Sequence, residues 1–441
     1  MFEHLKGKTL LLTDGSSLGA CAVIRAREMG IKTIVANYYK TDKNPAKQVA
    51  DIAIEIDFTN IDAMLALIKE YHVDGIFVGW TDSHLPYYAQ ICEKAGLPCC
   101  GTLEQFSILS NDKNKFKALC KQYNVPTVPD YKLDINFSRS DLEMIQYPVM
   151  VKPADGSGSR GVKCCNNEEE LKQHYRYLYE TSSNKNIICE KYIDTKKEIF
   201  LNYIIQDGKC SLTATYMNID SRCADGSSGP AMLHIYPSIY TRRYKETIEP
   251  KVIDMIHGIG LKNAFLSLQG FVIGDGFVFH ETGLRMGGGQ SYVFTQALNG
   301  ISALDLMIEH ALTGKIISMN AQKMDNPFFK KVCANYYIPL KEGTIHEISG
   351  VEAVNSMPQV LQNKQFKFVG DKILYSKSLD RVCFRIHVMD DTKDALARTL
   401  CKISETLKVL DENGIDMQLQ KLEYTKVMEM INEAWPDSLN Y

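Results

Sequence analysis

Several of the signals that assign a protein quickly are missing from this chain. No apolar run reaches the roughly eighteen residues that a membrane helix needs, so no membrane partner is expected. The formal net charge is only −3, which supplies no long-range field for nucleic acid. The ten histidines include no His-x-x-x-His pair, and the thirteen cysteines include no Cys-x-x-Cys. The adjacent pairs Cys99-Cys100 and Cys164-Cys165 suit neither a disulfide framework nor zinc-ligand spacing. An odd cysteine count without a secretory signal leads us to expect a reducing, cytoplasmic setting. Low-complexity linkers and internal repeats are missing too.

What remains is a globular composition, 45% hydrophobic and 23% charged over 441 residues, long enough for more than one core. Residues 8–12, 32–36, 52–56 and 75–79 read as short buried strands, with a helical pattern from Ile61 to Tyr71. That alternation predicts a parallel sheet. Thr13 to Gly19, with Ser16, lies at the first strand-to-helix turn, where small molecules bind in such sheets. It lacks the Gly-x-Gly-x-x-Gly pattern of a dinucleotide site. A substrate role and a plain helix N-terminus stay equally open there.

Two stretches carry chemistry. In the first, Leu268 to Ile273 and Phe277 to Arg285 flank Gly274-Asp275-Gly276, which predicts a hairpin with a three-residue loop. If Ile273 and Phe277 pair, Gln269 falls opposite Glu281, with Cβ atoms about 5 Å apart. Gly283 and Arg285 then follow Glu281 on the same face. Taken alone, that face could equally be solvated surface. In the second, Tyr147–Lys152 and Gly161–Cys165 read as strands joined by Gly156-Ser157-Gly158-Ser159-Arg160. Glycine amides can cradle phosphate oxygens, and Lys152 enters the loop as a point charge. No Gly-Lys-Ser/Thr follows, so this is not a P-loop.

Together these stretches resemble the ATP-grasp family of carboxylate–amine ligases, in its carbamoyl-phosphate synthase, biotin carboxylase and purine-biosynthesis branch. Asp112-Lys113 before a helix matches the family's first nucleotide lysine, and Lys152 its second. Glu190-Lys191-Tyr192-Ile193 matches the segment whose backbone meets adenine, and Glu198 the ribose position. The metal segment keeps its spacing from Gln269 to Glu281, Gly283 and Arg285. Two departures stand out: a glutamine replaces the first metal carboxylate, and Gly283 replaces the usual asparagine. Such a site should hold metal less tightly than the family norm.

The resemblance implies an α/β fold, α+β in part. Residues 1–110 would form a pre-ATP-grasp domain with a parallel sheet. Residues 111–315 would form a two-lobed ATP-grasp domain, its small lobe at about 140–189, and 316–441 a C-terminal α+β domain. It further implies ATP, and Mg²⁺ or Mn²⁺, as cofactors. Lys113, Lys152, Gly156, Ser157, Gly158, Ser159, Gly161, Glu190, Lys191, Ile193 and Glu198 would bind ATP. Glu281 and Gln269 would hold metal, and Glu281 and Arg285 would act in catalysis. Gly288, Gly289, Gln290 and Ser16 are substrate candidates; for Tyr292 a core position is expected.

The implied activity is ATP-dependent activation of a carboxylate as an acyl phosphate, then attack by an amine. The partners would be a small-molecule carboxylate and amine, and a second copy in a homodimer. A silent ATP-binding regulator and a bicarbonate-using carboxylase remain as alternatives. No biotinyl attachment motif or glutaminase-like segment is seen.

Overall fold

The computed structural model describes residues 1–156, 161–182, 185–222, 228–376 and 379–436. Strands β1 (Thr9–Leu12), β2 (Lys32–Asn37), β3 (Ile52–Glu55) and β4 (Gly75–Phe77) form the expected parallel sheet in the order β3-β2-β1-β4. β1 and β4 are buried throughout, as strands covered on both faces must be. The helix Ala303–Thr313, capped by Ser302 and ended by left-handed Gly314, packs on this sheet. It approaches so closely that a Cβ on Gly75 would lie 1.9 Å from the Ala311 carbonyl oxygen. We expect Gly75→Ala to lower stability by about 1–3 kcal/mol, the cost of overpacking, read by urea unfolding.

The small lobe is a second sheet, β5 (Asp130–Tyr131), β6 (Val149–Pro153), β7 (Lys163–Cys165) and β8 (Ile187–Lys191), in the order β5-β8-β6-β7. The helix Glu168–Thr181 covers it through Leu171, Tyr175 and Leu178. These residues and Val149, Val151 and Cys189 form a core of their own, which makes this a separate lobe.

The rest is built on one antiparallel sheet. Its strands are β9 (Glu198–Gln206), β10 (Lys209–Arg222), β11 (Ser228–Tyr236), β12 (Ala264–Ile273), β13 (Gly276–Gly283), β14 (Val332–Pro339), β17 (Val360–Gln365) and β19 (Val382–Asp390). The order is β13-β12-β9-β10-β11-β14-β19-β17. Two small pairs decorate it, β15 (Gly343–Thr344) with β18 (Lys372–Ile373) and β16 (Glu347–Ser349) with β20 (Lys408–Leu410). The sheet crosses the boundary placed at residue 315, because β14 pairs directly with β11 from Leu233↔Tyr336 to Tyr236↔Cys333. Hydrogen bonds and one continuous core therefore fuse the C-terminal segment to the part of the chain before it.

The hairpin reaches its register by a different route from the expected one. The loop is two residues, with Ile273 opposite Gly276 and Gly274 at φ +55°. A bulge at His280 then restores the missing residue, and Gln269 does lie opposite Glu281.

Candidate active site

A cleft of about 1500 Å³ opens between the small lobe and the large sheet. Its walls carry Lys113, Lys152, Gly156, Glu190–Ile193, Glu198 and Glu281. Local structure explains several of these. Asp112 caps the helix Lys113–Gln122 by accepting from the Asn114 and Lys115 amides, which fixes Lys113 at its first turn. The Lys113 ammonium donates to the Gly156 carbonyl at 2.6 Å and lies 3.8 Å from Glu281 Oε1. One cation thus ties the glycine-rich loop to the hairpin carboxylate.

Lys152 is buried, and its ammonium sits 2.6 Å from Glu190 Oε2. The other Glu190 oxygen meets Lys117 at 2.5 Å, and Lys117 also donates to the Val128 carbonyl. Burial pushes the Glu190 carboxyl up, but Lys152 and Lys117 outweigh it and hold it below the usual carboxylate range. Two ammonium groups share this one buried carboxylate, and the half-exposed Asp130 stands 3.6 Å from Lys117 as a second anion. The Lys117 arm, missed in sequence, carries the only further charge in this triad. A lysine one helical turn after Lys113 was the available signal.

At the hinge, Lys191 N–H is already spent on the Pro129 carbonyl, and Ile193 accepts from Thr195. The Ile193 N–H meets no acceptor among the described residues. Glu198 accepts from Asn218 Nδ2 at 2.8 Å and lies 3.5 Å from His280 Nε2. Asn218 and His280 line the cleft beside it and were not anticipated.

On the hairpin face, Glu281 and Gln269 offer one carboxylate and one amide oxygen across the strand pair. Among the described residues, no group of three or more His, Cys, Asp or Glu side chains is placed to hold an ion. Mg²⁺ is commonly held by one or two carboxylates plus substrate phosphates. Glu281 on the cleft wall therefore fits as the one carboxylate for a cation that arrives with a nucleotide, while Gln269 lies opposite it on the strand pair.

Arg285 is engaged by Asp82, which follows β4: Nε and Nη2 donate to its two oxygens at 2.7 Å each. This fork joins the parallel sheet to the hairpin strand. Burial pushes the Arg285 pKa down, but Asp82 outweighs it and holds it above the ordinary value. Beyond it, Gly287–Gln290 form a strap across the large sheet. Gln290 is buried, and its side chain is bonded to Tyr292 and Arg385. Tyr292 is buried, as expected of a core aromatic. Ser16 caps the helix Ser17–Glu28 by accepting from the Leu18 and Gly19 amides, and does not line the cleft. Gln269 is not among the residues that line it either. Ser157, Gly158 and Ser159 lie outside the described residues; Gly156 and Gly161 flank them.

The C-terminal helix Tyr424–Ala434 forms another wall, through Lys426, Glu429, Met430 and Glu433. Nothing in the local sequence announced that role.

Two lobes about one cleft, with Lys152 on a strand of its wall, are the arrangement of the ATP-grasp fold. Comparison with known proteins agrees. Residues 112–262 match the family described as carbamoyl-phosphate synthase L chain, ATP binding domain. The chain is 31% identical over 197 residues to the 2-oxoglutarate carboxylase small subunit of Hydrogenobacter thermophilus, an alignment spanning 41% of each protein. It is 24% identical over 370 residues to the phosphoribosylamine–glycine ligase of Brucella melitensis, covering 79% of this chain and 84% of that one. The biotin carboxylase domain of the H. thermophilus 2-oxoglutarate carboxylase, solved as a dimer with MgADP, ADP and bicarbonate, superposes with a TM-score of 0.75. That match has 19% identity and covers 91% of this chain and 90% of that one. No helix among the described residues is long and apolar enough to cross a membrane.

Proposed function

We propose that this protein is an ADP-forming ligase that activates a carboxylate as an acyl phosphate and joins it to an amine. The observation that carries the reading is the convergence of Lys113, Lys152 and Glu281 on one cleft, with Arg285 just beyond the strand that carries Glu281. Lys113 and Lys152 bind the nucleotide phosphates, and Glu198 takes the ribose hydroxyls. Mg²⁺, or Mn²⁺, held through Glu281 would neutralise charge on the transferred phosphoryl group. A substrate carboxylate oxygen attacks the γ-phosphorus and ADP leaves. The amine nitrogen then attacks the acyl carbon, and phosphate departs with the C–O electrons. Arg285, oriented by Asp82, faces the charge that develops in these steps. A homodimer belongs to the same reading, since the related carboxylase domain is a dimer.

The test is ADP release with Mg²⁺ against carboxylate and amine libraries, alongside ATP calorimetry. Substrate-dependent turnover is expected, and Lys152→Ala should weaken ATP binding by at least about 1.5 kcal/mol. Turnover dependent on bicarbonate would favour a carboxylase instead. ATP binding without any turnover would leave a nucleotide-binding regulator.

A further inference from the structure

Three cysteines, Cys92, Cys99 and Cys100, lie close in sequence, and the chain folds them back onto one another. Cys92 is in the last turn of the helix Leu85–Ala95, four residues after Tyr88 and so on the same face. The helix closes in a Schellman turn. Left-handed Gly96, at φ +67°, donates to the Glu93 carbonyl, and Leu97 donates to that of Cys92 at 2.9 Å. This reversal returns residues 99 and 100 along the face that carries Tyr88 and Cys92. The Cys100 amide donates to the Tyr88 hydroxyl at 3.4 Å, which fixes the returning segment. The Cys92 and Cys99 thiols meet there and share a hydrogen bond.

The two sulfurs are not equivalent. Cys92 is fully buried, whereas Cys99 is partly exposed. As a thiol, Cys99 donates to the Gly101 carbonyl at 3.0 Å; as a thiolate it accepts from Cys92. The bond from Cys92 outweighs burial and holds the Cys99 pKa below the ordinary thiol value. The same contact, with burial, pushes Cys92 up, and burial pushes Cys100 up. Elsewhere in the core, burial pushes Cys120 and Cys383 up to about 12, which leaves them inert packing residues. A reachable sulfur poised beside a second thiol is the arrangement that reacts with an oxidant and then closes a bridge.

We propose that Cys99 and Cys92 form an oxidation site for a small peroxide, with Cys99 as the attacking thiolate and Cys92 as the resolving thiol. The Cys99 sulfur attacks one peroxide oxygen and the O–O bond breaks. The departing oxygen takes up the proton that Cys99 released and leaves as water or an alcohol, and Cys99 becomes a sulfenic acid. The Cys92 sulfur then attacks the Cys99 sulfur, the S–O bond breaks, and hydroxide leaves with the Cys92 proton as water. Two thiols lose two electrons, and one peroxide is reduced. None of the three cysteines lines the large cleft, so the site is separate from it. The bridge would tie the end of the helix to the segment of Gly101, where a Cβ would lie 2.8 Å from Leu284 Cδ2, one residue before Arg285.

The test treats the reduced full-length protein with hydrogen peroxide, then alkylates it and maps every cysteine by mass spectrometry. A loss of two hydrogens is expected, carried by a linked Cys92–Cys99 peptide and reversed by dithiothreitol. Cys92→Ser should instead leave a sulfenic acid on Cys99, trapped by dimedone, and Cys99→Ser should give no bridge. Cys100→Ser should bridge like wild type, which separates Cys99 from its neighbour in sequence. In urea the preference for Cys99 over the partly exposed Cys164 and Cys401 should vanish, because the turn and the Tyr88 contact are gone. Oxidation that falls first on Cys164 or Cys401 in the native protein would overturn the proposal. So would a bridge that survives in Cys99→Ser, one that is lost in Cys100→Ser, or a Cys99 preference that persists in urea. Unreacted Cys99 in peroxide-treated wild type would overturn it with no variant needed.

Discussion

Replacing Glu190 by glutamine should cost about 3–5 kcal/mol of folding stability at pH 7, the usual price of breaking a buried ion pair. The carboxylate is 3% exposed and lies between Lys152 and Lys117, both also buried. Without its charge, Lys152 loses its buried partner carboxylate, and Lys117 keeps only the half-exposed Asp130 at 3.6 Å. The pH dependence follows from the lowered Glu190 pKa. A carboxylate held down in the folded state contributes stability that is fully present above its unfolded value, about 4.5. That contribution is lost as pH falls through the folded pKa. The gap between wild type and Glu190→Gln should therefore be widest at neutral pH and narrow below 4.5. Urea unfolding at pH 7 and pH 3.5 reads both. An equal gap at the two pH values would mean that the pair does not set the stability of this lobe.

Glu281→Gln should lower Mg²⁺-dependent turnover by at least about 100-fold, near 2.7 kcal/mol of barrier. Glu281 is the one carboxylate of the Gln269–Glu281 pair, and Lys113 stands 3.8 Å from it. Gln269→Glu supplies the complementary result. Without metal, a second carboxylate across the strand pair repels Glu281 and should lower the melting temperature. With MgATP the sign should reverse, because the added charge pairs with the cation. Thermal shift with and without Mg²⁺, alongside ADP release, checks both variants. Wild-type turnover in Glu281→Gln would make the hairpin a structural face only.

Much of the nucleotide half was legible because its signals are local. Asp112 caps the very helix that Lys113 begins, and the alternation around Gly274 fixes a hairpin within twenty residues. The Gln269–Glu281 pairing was correct even though its two premises were not. A loop one residue shorter and a bulge at His280 cancel, and sequence patterning alone cannot see a bulge. Matching Glu190 to the adenine segment gave no sign of the two lysines that its side chain holds.

By itself, the sequence determined the parallel sheet, the places of Lys113 at a helix start and Lys152 on a strand, and the face that carries Glu281, since strand alternation, capping and turn chemistry act over a few residues. Tertiary structure alone decided which charges meet. Arg285 finds Asp82 from 203 positions away, and Gly288 is held by Arg385 from 97. Pairings at that distance are set by sheet order, here the direct contact of β11 with β14 and of β14 with β19. No local pattern encodes that order, because each strand is satisfied by any partner that buries its apolar face and completes its backbone hydrogen bonds.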